Sequence, residues 1–280
     1  MVKLNKASEE YNIVISDFLD EVVTGRNEGA FKNFLKWFEK TWRIESVALS
    51  TKHSTGDILA VNALVPIKNF RYKKSFSYLY SSESDERSYI RKLRKKFIGE
   101  LCSYCGSPGC GTLDHYYPKK LFPQFSIIPD NLVPCCYRCN KVKGEIFPIT
   151  KDQRIIHPYF DDFLKNIIFE IEFKKLEGSI RFDIRPHSML SPDQKAVVTY
   201  HIENLEIKKY HMRSILDGFE IIREDVLNWL DAGIPDATVL TVQKKTVAAS
   251  IVKGKTADWT VMIRDSIVRI PANYNLIKNR

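Results

Sequence analysis

A chain of 280 residues, 44% hydrophobic and 28% charged with 12 Gly and 12 Pro, is long enough for one large or two modest domains, and this composition excludes collagenous, low-complexity and disordered proteins. The first residues, MVKLNKASEEYNIV, lack the apolar core of a secretory signal and no stretch approaches the roughly 20 apolar residues of a membrane span, so a cytoplasmic protein without a membrane partner is expected. Six cysteines in that reducing compartment point to metal ligands or buried thiols rather than disulfides, and a net charge of +9 suits a polyanionic partner.

Residues 1–97 are expected to be a mainly helical region. Phe31, Phe34, Leu35 and Phe38 follow the i, i+3, i+4, i+7 spacing of a buried helix face. A second helix is expected from Ser84, a candidate cap, through Tyr89, Ile90, Leu93 and Phe97 on one side with basic residues on the other. Between Arg87 and Gly144 there are 11 basic and 3 acidic residues, so this one region holds most of the excess charge.

Residues 98–148 change texture to short strands, turns and paired cysteines, a unit too small for an apolar core of its own without metal. Cys102-x-x-Cys105 and Cys136-x-x-Cys139 have the spacing that lets both sulfurs of each pair reach one tetrahedral Zn2+. The adjacent Cys135 would break that spacing, and Cys110, in a Ser-Pro-Gly-Cys-Gly turn, is read as a bystander. The 30 residues between the pairs contain Leu113-Asp114-His115-Tyr116-Tyr117-Pro118-Lys119 and Asn131-Leu132-Val133-Pro134, and the second pair runs on as Cys139-Asn140-Lys141-Val142-Lys143-Gly144.

These motifs, in this order, resemble the HNH endonuclease family, in the subgroup with Asn at the third signature position, over about a sixth of the chain. The resemblance implies an α+β protein with a small ββα-metal unit and a structural four-cysteine zinc site, embedded in a mainly helical body. It further implies that His115 is the general base on a water, that Asp114 and Asn140 hold one Mg2+ or Mn2+ through oxygen, and that Asn131 orients His115. An unperturbed histidine pKa near 6.5 suits that proton transfer. Lys119, Arg138, Lys141 and Lys143 are candidates for flanking phosphates, contacts that carry no base identity.

Residues 149–280 are expected to form a hairpin, from strands near 167–174 and 179–184 around a Glu-Gly turn, followed by long helices over about 192–232 and shorter mixed structure beyond. His157 precedes a proline and is read as structural. His53, His187, His201 and His211 lack partners at recognisable spacing, and no Gly-x-Ser-x-Gly elbow supports a serine hydrolase. The expected activity is hydrolysis of nucleic-acid phosphodiesters, DNA favoured over RNA. The alternatives are an RNA or tRNA nuclease, or a zinc-stapled binding module without catalysis. By family analogy alone, the role is a bacterial restriction or anti-phage effector with a regulatory partner such as an ATPase.

Overall fold

The computed structural model describes residues 1–54, 70–81 and 88–279, and the Ser84 cap expected from the sequence lies outside them. The chain is α+β, and the described residues form two separate two-stranded antiparallel sheets among many helices. In α3 (Ala30–Ser54) the side chains of Leu35, Phe38, Trp42, Ser46 and Leu49 are buried at intervals of three and four, the stripe that a 3.6-residue period lays along one helix face. Against it pack Phe18, Leu19 and Val22 of α2 (Ile15–Thr24) and Phe76 of α4 (Phe70–Ser81), whose ring meets the Trp42 ring edge-on at 5.2 Å. Each such fully buried large side chain contributes about 1.5–3 kcal/mol. On α5 (Ser88–Lys96), Tyr89, Ile90 and Leu93 are buried while Arg91, Lys92, Arg94 and Lys95 face water. A four-residue helix α1 (Ala7–Glu10) precedes these.

Next comes a strand, strand, helix unit. Strands β1 (Cys110–His115) and β2 (Leu132–Cys136) pair antiparallel with Asp114 opposite Val133 and His115 opposite Leu132, and a bulge falls between Cys110 and Thr112. Helix α6 (Tyr137–Lys143) follows at once. Its N-cap is Cys136, whose sulfur accepts from the Cys139 amide, and it ends at Gly144 with φ of 49°, a left-handed turn that glycine makes without strain. The unit does not stand alone: Leu113, Tyr116, Tyr117, Leu132 and Val133 are buried in one continuous core with the flanking helices. Asp130 accepts from the Ser8 amide (2.9 Å) and hydroxyl (2.7 Å), and the Tyr159 hydroxyl donates to Leu132 O at 2.6 Å.

The hairpin β3 (Phe169–Leu176) and β4 (Ser179–Pro186) sits two residues later than its expected start, and Glu177 and Gly178 both take positive φ, as the tight turn between twisted strands requires. Phe169, Ile171 and Phe173 line its buried face. Beyond it lie α7 (Pro192–Asn204), opened by a Ser191/Gln194 capping box, and α8 (Ile207–Asp231), whose Phe219 stacks on Phe173 at 4.1 Å. The C-terminal stretch departs from the mixed structure expected of it, forming three further helices: α9 (Asp236–Val252), α10 (Trp259–Arg269) and α11 (Pro271–Lys278). The segment DATVLTVQKKTVAASIV of α9 is rich in β-branched residues with no strong apolar stripe, so packing of Val239, Gln243 and Val247 against its neighbours decides the structure over local propensity. Among the described residues, no helix is long and apolar enough to cross a membrane.

Candidate active site and metal centre

The Cys102 and Cys105 sulfurs, from the loop before β1, meet those of Cys136 and Cys139 from the start of α6. All four lie within 4.8 Å of one another, with Cys105 and Cys136 at 4.0 Å. A tetrahedral ion with bonds of about 2.3 Å holds its sulfurs roughly 3.8 Å apart, so the cluster is compatible with structural zinc after a small contraction. The Cys136 amide donates to the Cys102 sulfur at 3.2 Å, and the Arg138 guanidinium donates to the Cys139 sulfur at 3.4 Å, contacts that favour thiolates. Hydrogen bonding, foremost from Cys102, draws Cys105 far below the ordinary thiol range, while burial pushes Cys102 well above it. Cys135 and Cys110 stay out of the cluster; Cys135 contacts the Thr112 hydroxyl at 3.4 Å instead.

Nine residues past Cys105, β1 ends at Asp114 and His115, both buried. The His115 Nε2 lies 3.0 Å from Ser126 O, and since a carbonyl only accepts, Nε2 carries the proton. Nδ1 is then the basic nitrogen, without a partner among the described residues. The Tyr80 ring of α4 packs edge-on to the imidazole at 4.5 Å. Burial, with the charge of Lys119 behind it, drives His115 down to about 3 against the opposing pull of the Ser126 carbonyl. The near-6.5 basicity expected from the sequence is therefore not what this environment gives: the ring is neutral throughout the physiological range and weakly basic.

Asn131 is fully buried and ties the loop after His115 at three points, accepting from Tyr117 N at 2.8 Å and donating to Tyr117 O at 3.1 Å and Phe125 O at 3.0 Å. The N-terminal helices brace the same loop: Trp42 Nε1 donates to Gln124 O at 2.8 Å, Ser126 Oγ to Phe76 O at 2.9 Å, and the Tyr89 hydroxyl to Ile127 O. The carbonyl that orients His115 thus belongs to a loop fixed from both sides.

Asp114 divides its two oxygens. Oδ2 takes the Tyr104 hydroxyl at 2.8 Å and the Lys143 ammonium at 2.9 Å, and Lys143 also donates to His115 O at 3.0 Å. Oδ1 has no hydrogen bond among the described residues. Burial, then the Asp114 charge, holds the Tyr104 hydroxyl well above its ordinary range, so it stays a donor. Asn140 lies on α6 one turn before Lys143, and its amide nitrogen donates to Thr112 Oγ1 at 3.1 Å and Leu113 O at 3.3 Å, which leaves its carbonyl oxygen without a partner among the described residues. Two hard oxygen atoms, one anionic and one neutral, thus stand uncommitted on adjoining elements, a donor set suited to Mg2+ or Mn2+.

The four phosphate-contact candidates separate. Lys143 is enclosed, its ammonium committed to Asp114, and presents no charge to the surface. Arg138 is likewise turned inward: it lies 3.9 Å over the Tyr210 ring and donates to Leu205 O at 3.2 Å, joining the cysteine cluster to α7 and α8. Lys141 is exposed, and exposed Lys119 stands 5.1 Å over the Tyr80 ring, beside His115. The remaining described histidines have structural partners: His187 pairs with Asp265 at 3.0 Å, His201 donates to Tyr104 O at 2.8 Å, His211 lies against Ser107, and His157 packs on Tyr116 at 4.1 Å. Sequence reasoning missed Tyr104, Ser126 and Tyr80. Tyr104 could have been suspected from its place between two ligand cysteines; the other two come from distant segments and carry no local signal.

Among curated proteins the chain is similar to Protein ea31 of Escherichia phage lambda, with 32% identity over 135 residues, 45% of this chain and 45% of that protein. The match spans less than half the length of either. No family model matches the chain, and no solved structure matches it significantly.

Proposed function

We propose that the chain is a metal-dependent HNH endonuclease that hydrolyses nucleic-acid phosphodiesters, DNA before RNA, with a structural Zn2+ on Cys102, Cys105, Cys136 and Cys139. What supports this reading is a strand, strand, helix unit that carries a loop-oriented neutral His115 at the end of β1 beside Asp114, with Asn140 on the helix that follows, Asp114 and Asn140 each keeping one side-chain oxygen outside the hydrogen bonds of the described residues.

Asp114 and Asn140 would hold the divalent cation. Such a cation supplies Lewis-acid stabilisation of the phosphate charge and of the departing oxygen. The chain's own residues do the rest. His115, its proton fixed on Nε2 by Ser126, takes the proton of an attacking water on Nδ1; because burial leaves the ring a weaker base than free imidazole, that transfer would need the water acidified by the cation. Asn131 keeps the Ser126 loop in register, and Tyr104 with Lys143 holds the Asp114 carboxylate in one orientation. Lys119, exposed beside the histidine, is placed to meet a phosphate next to the scissile bond. On this reading a phage-related restriction or defence role, under control of a partner such as an ATPase, remains an analogy to the family.

The test is a substrate panel: supercoiled plasmid, single-stranded DNA and total RNA incubated with wild type and His115→Ala in Mg2+, Mn2+ or chelator. Cutting of one class that disappears with the substitution and with chelator is the expected result. Tight binding without metal-dependent cutting of any class would replace the nuclease with a non-catalytic binding module, and cutting confined to RNA would move the substrate to that class.

A further inference from the structure

Helix α5 reads SYIRKLRKK, five basic residues in nine and no acid. Tyr89, Ile90 and Leu93 fill its buried face, and Lys96 turns back to Glu10. Lys92, Arg94 and Lys95 are exposed and make no ion pair among the described residues. A basic helix face of this kind is ordinarily no more than solvated charge. What sets this one apart is where Arg94 is held.

The Tyr80 side chain of α4 joins that face to the candidate centre. Its ring meets the His115 imidazole edge-on at 4.5 Å, its hydroxyl accepts from Arg94 Nη2 at 3.3 Å, and Lys119 Nζ lies 5.1 Å from its centroid. One half-buried tyrosine therefore gathers two cations without ionic partners among the described residues around the imidazole, whereas Lys120, next in the chain, is paired with Glu145. Across the tyrosine the guanidinium is no more than about 11 Å from the imidazole, a reach of about three phosphates on a strand that advances about 3.4 Å at each. An arginine fork can meet two oxygens of one phosphate, and a lysine adds a point charge beside it. Lys92 and Lys95 stand three residues apart, about 4.5 Å along the helix, so the positive charge continues from Arg94 around α5.

We propose that Arg94 and Lys119, held by Tyr80, form a clamp on the backbone of a DNA substrate within about three phosphates of the scissile bond, and that Lys92 and Lys95 extend it to the flanking DNA. Tyr80 is the positioning residue: its hydroxyl fixes Arg94, and its ring holds Lys119 beside the imidazole. A polyanion fits this face because α5 offers cations and no carboxylate of its own. That the polyanion is DNA rests on the nuclease reading above.

The test uses the full, zinc-loaded chain. Binding of a labelled DNA duplex, and separately of RNA of the same sequence, is measured at several salt concentrations in the His115→Ala background, so that binding is read without cutting. That parent is compared with versions that also carry Arg94→Gln, Tyr80→Phe, both together, Lys92→Gln with Lys95→Gln, or, as a control of equal charge, exposed Lys244→Gln with Lys245→Gln on α9. Arg94→Gln is expected to weaken DNA binding about fivefold at low salt and to lower the slope of log K against log salt by about one. The Lys92 and Lys95 pair should lower the slope by nearly two, and the α9 pair should leave it unchanged. Tyr80→Phe keeps the ring and frees the guanidinium, so affinity should fall while the slope holds, and this loss should vanish in the Arg94→Gln background. An equal loss from Tyr80→Phe in both backgrounds would overturn its positioning role. Losses in Arg94→Gln and in the Lys92 and Lys95 pair no larger than in the α9 pair, with the parent binding DNA, would overturn the clamp and leave the nuclease reading intact. Losses confined to RNA would overturn DNA as the occupant. If the parent binds neither nucleic acid and the wild type cuts neither, the nuclease reading fails and the clamp with it.

Discussion

The Asp114–Lys143 pair, with side chains 3% and 0% exposed, is a buried ion pair at the end of β1. A buried carboxylate stripped of its partner is costly, so Lys143→Met should destabilise the protein by about 3–5 kcal/mol in urea denaturation, and much of that loss should vanish in an Asp114→Asn background. Equal losses in both backgrounds would mean that Lys143 acts through packing alone. His201 supplies the acid limb of stability. Burial drives it down to about 3 while the Tyr104 carbonyl pulls the other way, so between that value and about 6.5 the unfolded chain binds a proton that the folded chain refuses. Its contribution is complete above about pH 6.5 and is lost as pH falls toward 3, on the order of 5 kcal/mol at the end. His201→Gln should flatten the fall in stability between pH 6.5 and 4, measured by denaturant midpoints. The cysteine cluster was legible in the sequence because each pair is a short local pattern, whereas Asp114, His115, Asn131 and Asn140 were singled out by resemblance to a family. The confinement of Lys143 was not legible, since a lysine in a basic run reads as a solvated charge and only the fold brings Asp114, 29 residues earlier in the chain, onto its ammonium.

Among the elements, the loop from Tyr116 to Asn131 is held by the burial of Tyr116, Tyr117, Phe125, Ile127 and Ile128, by hydrogen bonds from the N-terminal helices, and by bonds that Asn131 makes within the loop. Asn131→Ala removes three of them from a fully buried position and should cost about 2–4 kcal/mol and lower cleavage at least tenfold while Mn2+ binding persists, a combination that calorimetry and single-turnover rates would separate. Retained cleavage would show that the loop keeps Ser126 in place without it. Helix α3 and the hairpin announced themselves by periods of 3.6 and 2, and the Glu177-Gly178 turn by its residues. Helix α9 did not, because its stability comes from burial between neighbours rather than from its own composition.

At the scale of the whole molecule, the cysteine cluster is a joint between halves of the chain. Gly106, at φ of 75° directly after the first cysteine pair, lies so close to the C-terminal segment that an added Cβ would sit 2.3 Å from Ala257 O. Gly106→Ala should therefore destabilise by about 2 kcal/mol or more, and both halves should lose protection in hydrogen exchange rather than the knuckle alone. The insertion of a small unit of short strands and paired cysteines between helices follows from the change of texture along the sequence, and the α+β class from the resemblance that those residues carry. How α4 reaches His115, and how segment 154–161 links Tyr116 to the later helices, depended on long-range packing that no periodicity encodes.

Mn2+ titration followed by electron paramagnetic resonance, on zinc-loaded wild type and on Asp114→Asn, Asn140→Ala and His115→Ala, tests the centre most directly. The proposed function predicts one bound ion in the wild type and in His115→Ala, binding weakened tenfold or more in Asp114→Asn and Asn140→Ala, and cleavage lost in all three variants. Mn2+ bound as tightly in Asp114→Asn and Asn140→Ala as in the wild type would contradict the assignment of these two oxygens as the cation's ligands.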